Sequence, residues 1–339
     1  MRLAPPLVAV VLLAGGCAPS PQQFDGPTMG TTYSITVTRL PGGVTRERLQ
    51  GVIDDVLAQV DRHLSTWNPA SEISKFNSTR STVPIPISPD LRAVVEVSLD
   101  VSRASGGAFD ITVAPLVHAW GFGSGQGAGV TSPDRPPLDQ LRASTGYRNL
   151  VLAPDGRTLQ KVVPALELDV AGVAPGYAVD LIAERFDQLG VRDYLIELGG
   201  ELRGRGHSPE GRPWRVAVES PLTGERKPYA LVEVDGMAVS TSGDYRDFRI
   251  VGGRRVSHEI DPRTGAPATS DLASVCVLHP SDAYADAYAT ALMVLGPDAG
   301  MTLATRLGLA ALFIERDHTG HGFRERSTPQ FERLRRSLD

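Results

Sequence analysis

The sequence predicts an α+β fold, a single body of mainly antiparallel sheets with packed helices, and three observations carry that expectation. Short β-rich runs separated by turns (YLIEL, WRVAVES, ALVEVDG, ASVCVLH, ALFIER) crowd the second half of the chain. Longer segments with apolar residues at three- and four-residue spacing alternate with strands. No long linker divides the 339 residues, and no internal repeat is present.

Taken in order, TTYSITVTR reads as a strand, and Leu49, Val52, Ile53, Val56, Leu57, Val60 and Leu64 then recur on one helical face. A second helix is expected over 89 to 104. The Gly- and Pro-dense stretch GFGSGQGAGVTSPDRPP predicts a loop, and LDQLRAST a short helix, inside a small excursion near 120–150. In LELDVAGVAPGYAVDLIAERFDQLG a strand ending at Asp169 is expected to run through small residues into a helix starting near Pro175. Glu197 and Glu201 flank a glycine pair in YLIELGGELRGRG, where the backbone can be approached closely. SDAYADAYATALMVLG predicts a mostly buried helix capped by Ser281 and stopped at Gly296 and Pro297.

At 41% hydrophobic residues the chain can bury one large core or two ordinary ones. Its net charge of −5 offers none of the basic surface that nucleic acid requires. The opening MRLAPPLVAVVLLAGGCAPS holds one Arg, an apolar stretch shorter than the roughly 20 residues of a membrane-spanning helix, and small residues before Cys17. That is an export signal, and its ending resembles a bacterial lipobox, the plainer alternative being ordinary cleavage near Cys17. Residues 1–17 are therefore expected to be a lipoprotein-type signal with Cys17 lipidated, residues 18–25 a tether, and residues 26–335 the folded body. The expected location is membrane-anchored, facing the periplasm. Cys276 then remains alone in the apolar run ASVCVLH, where packing is its expected role.

Several stretches carry chemistry. Asp286 and Thr290 stand four positions apart on a helix, so their oxygens can converge on one point. A carboxylate in an Ala-rich helix needs a positive or hydrogen-bonding partner, and a carboxylate beside a hydroxyl suits Mg²⁺. The plainer alternative has Asp286 facing solvent and Thr290 bonded back to a helix carbonyl. Asp110 lies between Phe109 and Ile111 in an apolar run, as a site residue or as the cap of a turn. The Gly-rich approach to the Pro175 helix offers free N–H groups to anions such as pyrophosphate. In SHEIDPRTG, Asp261 and the Pro-x-x-Gly spacing account for a tight turn, and Asp261 can pair with Arg263. The turn does not account for His258, which is either structural or the acid–base residue of the group. GSGQGA fits a dinucleotide pattern but opens no helix after a strand. His318 and His321 lack further ligands at metal spacing, and no P-loop, H-E-x-x-H or G-x-S-x-G is present.

Together and in order, TMGTTYSI, STWNPASEISKFN, GAFDITVAPL, LDVAGVAPGYAVD, IELGGELRGRG, STSGDY, SHEIDPRTG and ADAYATAL resemble the ApbE family of FAD:protein FMN transferases. The resemblance covers nearly the whole mature chain. It implies a T-fold-related body around a flavin cleft, FAD as substrate, Mg²⁺ as cofactor, and transfer of FMN to a Thr or Ser hydroxyl of an acceptor protein with release of AMP. By position it implies FAD contacts at Met29, Trp67, Ala108, Phe109, Asp110, Asp169, Pro175 and Ile260. It implies metal ligands at Asp286, Thr290 and the carbonyl of Gly172, and His258 as the base. Two departures stand out: Pro175 replaces a common Lys or Glu, and Ala289 an additional acid that some members carry. The rival readings are Mg²⁺-dependent hydrolysis of FAD to FMN and AMP, and a flavin-binding lipoprotein without turnover.

Overall fold

The computed structural model describes residues 20–123, 137–222, 227–245, 248–251, 254–317 and 322–338. The signal segment with Cys17, most of the Gly- and Pro-dense loop with its dinucleotide-like match, and the His318 and His321 pair lie outside the described residues.

Eight strands make the main sheet: β1 (Gln22–Thr28), β2 (Thr31–Val37), β3 (Tyr194–Leu198), β4 (Glu201–Arg205), β5 (Met237–Gly243), β6 (Leu272–His279), β7 (Ala310–Arg316) and β8 (Phe323–Ser327). Their spatial order is their chain order, and every neighbouring pair is antiparallel. The α+β expectation holds. Four long helices, α1 (Arg46–Leu64), α2 (Pro89–Ser105), α3 (Ala174–Gln188) and α4 (Asp282–Leu307), are inserted between β2 and β3 or between β6 and β7.

Each helix follows from its sequence. On α1 the residues Leu49, Ile53, Val56, Val60 and Leu64 are buried, and Thr45 caps it by accepting from the Arg48 amide at 3.2 Å. Ser88 caps α2 in the same way, Pro89 enters its first turn, and Gly106 ends it at φ 65°.

The sheet is buried on both faces. Val275 and Val277 of β6 pack with Ala285, Ala289 and Leu292 of α4, whereas Cys276 and Leu278 point the other way. There they meet a smaller three-stranded sheet formed by Trp214–Glu219, Pro228–Val234 and Arg335–Arg336. This two-sided burial explains why ASVCVLH is continuously apolar rather than alternating. Burial pushes the Cys276 thiol up to about 12, as its packing role requires.

The alanines of α4 divide between two interfaces. Ala285 and Ala289 face the sheet, while Ala283, Ala287 and Ala291 join the core shared with α1, α2 and α3. Small side chains on both flanks let the elements approach closely. At the crossing with α3 there is no room for even a methyl group: a Cβ on Gly176 would lie 2.6 Å from the Asp282 carbonyl oxygen.

Three local expectations need correction. The Ser281 side chain does not cap α4; its hydroxyl donates to Asp180 Oδ2 at 2.6 Å. Asp180 on α3 accepts the Asp282 and Ala283 amides at 2.9 and 3.1 Å, so the cap comes from a residue about a hundred positions away. No strand ends at Asp169; residues 166–170 are irregular and anchored by the Asp169 amide donating to the Ile111 carbonyl at 2.7 Å. Gly296, at φ 77°, breaks the helix as expected, but helical structure resumes from Pro297 to Leu307.

Gly176→Ala should destabilise the protein by about 1–3 kcal/mol through this backbone clash. A free helical surface site would instead gain about 0.5–1 kcal/mol from the same change. Urea unfolding of the variant beside wild type measures the sign.

Candidate active site

A cleft of about 530 Å³ opens where the turns of the main sheet meet the start of α3 and one side of α4. It is lined by Trp67, Ala108, Phe109, Asp110, Asp169, Gly172, His258, Ile260, Asp286 and Thr290, ten of the twelve residues the sequence singled out. A larger surface groove of about 980 Å³, between α2 and Tyr147–Leu152, holds none of them.

Asp286 and Thr290 share a third side of α4, the one turned to the end of β5 and the start of α3. Asp286 is only 6% exposed, and its Oδ2 has no hydrogen-bond partner among the described residues. Thr290 Oγ1 lies 3.3 Å from Ser242 Oγ at the end of β5. A Cβ on Gly172 would stand 3.1 Å from that Thr290 oxygen, so glycine lets the 169–173 loop close over the hydroxyl. The solvent-facing alternative for Asp286 is therefore excluded.

Burial pushes the Asp286 carboxyl well above the usual carboxylate range and the Glu201 carboxylate beside it adds to this, while the Gly176 amide at the start of α3 works against both. Glu201 itself is pushed up to about 7, mainly by burial. Asp282, fully buried with both carboxyl oxygens unpartnered, is raised by burial and then by Glu201 and Asp180. Glu201 and Asp286 thus line one end of the cleft with Asp282 beside them, and Arg203, already paired with Asp180, offsets the Asp282 displacement only in part.

At the other end, the Ile260–Asp261 and Ala266–Pro267 strands form a small hairpin. Asp261 accepts from the Arg263 amide and from its guanidinium Nε and Nη2, each at 2.9 Å, which locks the turn as expected. Trp120 Nε1 donates to the Gly265 carbonyl at 2.9 Å, and Arg142 to the Arg263 carbonyl at 2.9 Å. These bonds fix the hairpin on the helices Ala114–Ala119 and Leu138–Ala143. His258 enters the cleft just before it, with the Phe122 ring edge-on at 6.3 Å between centroids.

The other candidates divide. Asp110 is a turn cap: Oδ1 accepts from the Thr112 amide and hydroxyl at 2.8 and 2.7 Å, and Oδ2 from the Tyr147 amide. Burial raises its carboxyl even so, against those hydrogen bonds. Asp169 Oδ1 accepts from the Ala171 amide at 2.9 Å and shapes the loop ahead of Gly172. Trp67 leaves 73% of its surface exposed at the rim, a flat face open for stacking. Met29 and Pro175 do not line the cleft. Met29, at φ 48°, occupies the tip of the β1–β2 hairpin, and Pro175 is held half-buried in the first turn of α3.

The model of the ApbE family matches residues 29–313. The chain belongs to the ApbE family. It is 38% identical to a Vibrio cholerae protein named FAD:protein FMN transferase over 96% of both chains, and 39% identical to one of that name from Klebsiella pneumoniae over 96% of this chain and 95% of the other. The apo form of the Pseudomonas stutzeri flavinyl transferase ApbE superposes with a TM-score of 0.83 at 42% identity, covering 93% of this chain and 96% of that one.

Within this ApbE body the Ala289 departure has a structural setting: Ala289 is fully buried against the sheet and does not face the cleft. The sequence reading noted Glu201 beside its glycine pair but saw no sign of its burial, and Ser242, Phe122, Tyr245 and Glu259 of the cleft drew no individual notice. Asp282, which neighbours the cleft acids, was also missed. Glu259 had a weak signal, its place between two residues already assigned to the site.

Because Glu201 titrates near 7 when folded and near 4.5 when unfolded, its stabilising share is complete below 4.5 and lost as pH rises through 7. In chelator-treated protein, wild type should lose more unfolding free energy across that window than Glu201→Gln. Equal slopes in pH-dependent urea melts would contradict the buried placement.

Proposed function

We propose that this chain transfers FMN from FAD to a Thr or Ser hydroxyl of an acceptor protein and releases AMP. The observation that carries this reading is the meeting, in one cleft, of a titratable His258 with the Asp286–Thr290 pair and its unpartnered Oδ2. The names of the relatives, FAD:protein FMN transferase, support the same chemistry.

The residues fit Mg²⁺. An unpartnered carboxylate oxygen, a hydroxyl, and the carbonyl of Gly172 on a loop that closes to the hydroxyl make a hard, all-oxygen donor set. Asp286, Thr290 and the Gly172 carbonyl would hold the ion, which would supply charge neutralisation at the diphosphate. Asp286 and Thr290 hold that end of the nucleotide, and Phe109 and Ile260 supply apolar walls. A ring nitrogen of His258 takes the proton of the acceptor hydroxyl. The hydroxyl oxygen then bonds to the phosphorus on the flavin side, and the bond from that phosphorus to the bridging oxygen breaks, so AMP departs with that oxygen. The Asp261–Arg263 turn keeps His258 in place during the exchange.

The export reading belongs to the same proposal. The segment ending at Cys17 would anchor the protein by lipid to the periplasmic side of a membrane, with residues 18–25 as tether. Among the described residues no helix is long and apolar enough to cross a membrane.

The test is incubation with FAD, Mg²⁺ and a candidate acceptor, followed by flavin fluorescence on the denatured acceptor and assay of released AMP. Fluorescence with stoichiometric AMP supports transfer, AMP without labelled acceptor supports hydrolysis, and intact FAD supports storage alone. His258→Ala should slow transfer about 10²–10⁴-fold while FAD binds as in wild type. An unchanged rate removes His258 from the mechanism.

A further inference from the structure

Glu259 is a buried acid in the cleft wall next to the apolar Ile260, Phe122 and Val117. Its backbone is fixed on both sides: the amide donates to Ser257 Oγ at 3.1 Å and the carbonyl accepts from the Ala268 amide at 2.8 Å. The side chain reaches the cleft beside Ile260, which packs in a cluster with Val117 and Phe122. Only 6% of the residue is exposed, and Oε2 has no hydrogen-bond partner among the described residues. The carboxylate of Asp244, which is paired with Arg316, acts on it as a like charge. Burial and then Asp244 hold the Glu259 carboxyl well above its usual range, which favours its protonated form.

An uncharged carboxyl presents an O–H donor next to a carbonyl acceptor. Its complement is a ring edge with an N–H beside an acceptor. FAD carries two such edges, the N3–H and carbonyl of the flavin imide, and the amino group with a ring nitrogen of adenine. An apolar residue of this size would satisfy the wall better in the free protein, since the acid leaves a buried polar atom unmatched.

We propose that Glu259 grips the nucleotide through a two-point hydrogen bond to one of these ring edges and so selects which ring occupies this end of the cleft. The inference rests on the FAD reading above. It makes Glu259 a specificity residue that loses stability in the free protein and regains it when ligand binds.

The experiment measures binding of FAD, FMN and ADP by calorimetry, with Mg²⁺ present, to wild type, Glu259→Gln and Glu259→Leu, together with the melting temperature of each free protein. Glu259→Leu should bind FAD about tenfold more weakly yet melt higher, and Glu259→Gln, which keeps donor and acceptor, should stay close to wild type. Loss confined to FMN assigns the flavin edge, and loss confined to ADP assigns adenine. Wild-type FAD affinity in Glu259→Leu, or equal losses in both variants, overturns the proposal. Should Glu259→Leu not accumulate as folded protein, Glu259→Met takes its place under the same criteria. If wild type binds no FAD, the transferase reading itself fails; if wild type and Glu259→Leu bind it equally, only this inference does.

Discussion

A carboxylate held out of water must be matched by a cation, a proton or a set of donors, and at the Asp286 end of the cleft the cation that acts on the acids, Arg203, is already paired with Asp180. Glu201, Asp282 and Asp286 leave four buried carboxyl oxygens unpartnered among the described residues. Burial and mutual repulsion displace all three carboxyls upward, which favours their protonated forms in the free protein. A divalent ion arriving with a diphosphate would replace protons with metal charge. The chemistry proposed for the cleft is the release of that electrostatic tension.

The scaffold keeps the tension in place. Helix α4 is packed on two sides by alanines, against the sheet and against its neighbouring helices, so its third side cannot rotate away. Its N-terminus is tied by Asp180, which binds the Ser281 hydroxyl and two amides while pairing with Arg203 of β4. Gly176 and Gly172 let α3 and its preceding loop come close enough to seal the site. Opposite, the hairpin after His258 is pinned through Asp261, Arg263, Trp120 and Arg142. The Asp286–Thr290 wall thus faces His258 across the cleft, each held on a firmly packed element.

What was legible in the sequence was local. The amphipathic stripe of α1, the burial of ASVCVLH and the Asp261–Arg263 turn all depend on neighbours within a few residues. The i, i+4 pairing of Asp286 with Thr290 was equally visible. What escaped depends on contacts far apart along the chain. Ser281 looked like a cap because nothing near it reveals Asp180, and a strand at Asp169 was expected because its apolar neighbours give no sign that they pack as irregular chain. The burial of Glu201 and Asp282 follows from the meeting of β4 with α4, which no spacing encodes. Met29 and Pro175 were assigned by resemblance alone, and they lie outside the cleft lining because a hairpin tip and a helical first turn hold them.

The most direct measurement is a crystal structure with FAD and Mn²⁺ standing in for Mg²⁺, read by anomalous scattering. The account predicts a peak bonded to Asp286 Oδ2 and Thr290 Oγ1 at about 2.0–2.3 Å and also touching the diphosphate. A fully occupied nucleotide with those two oxygens free of metal would contradict it.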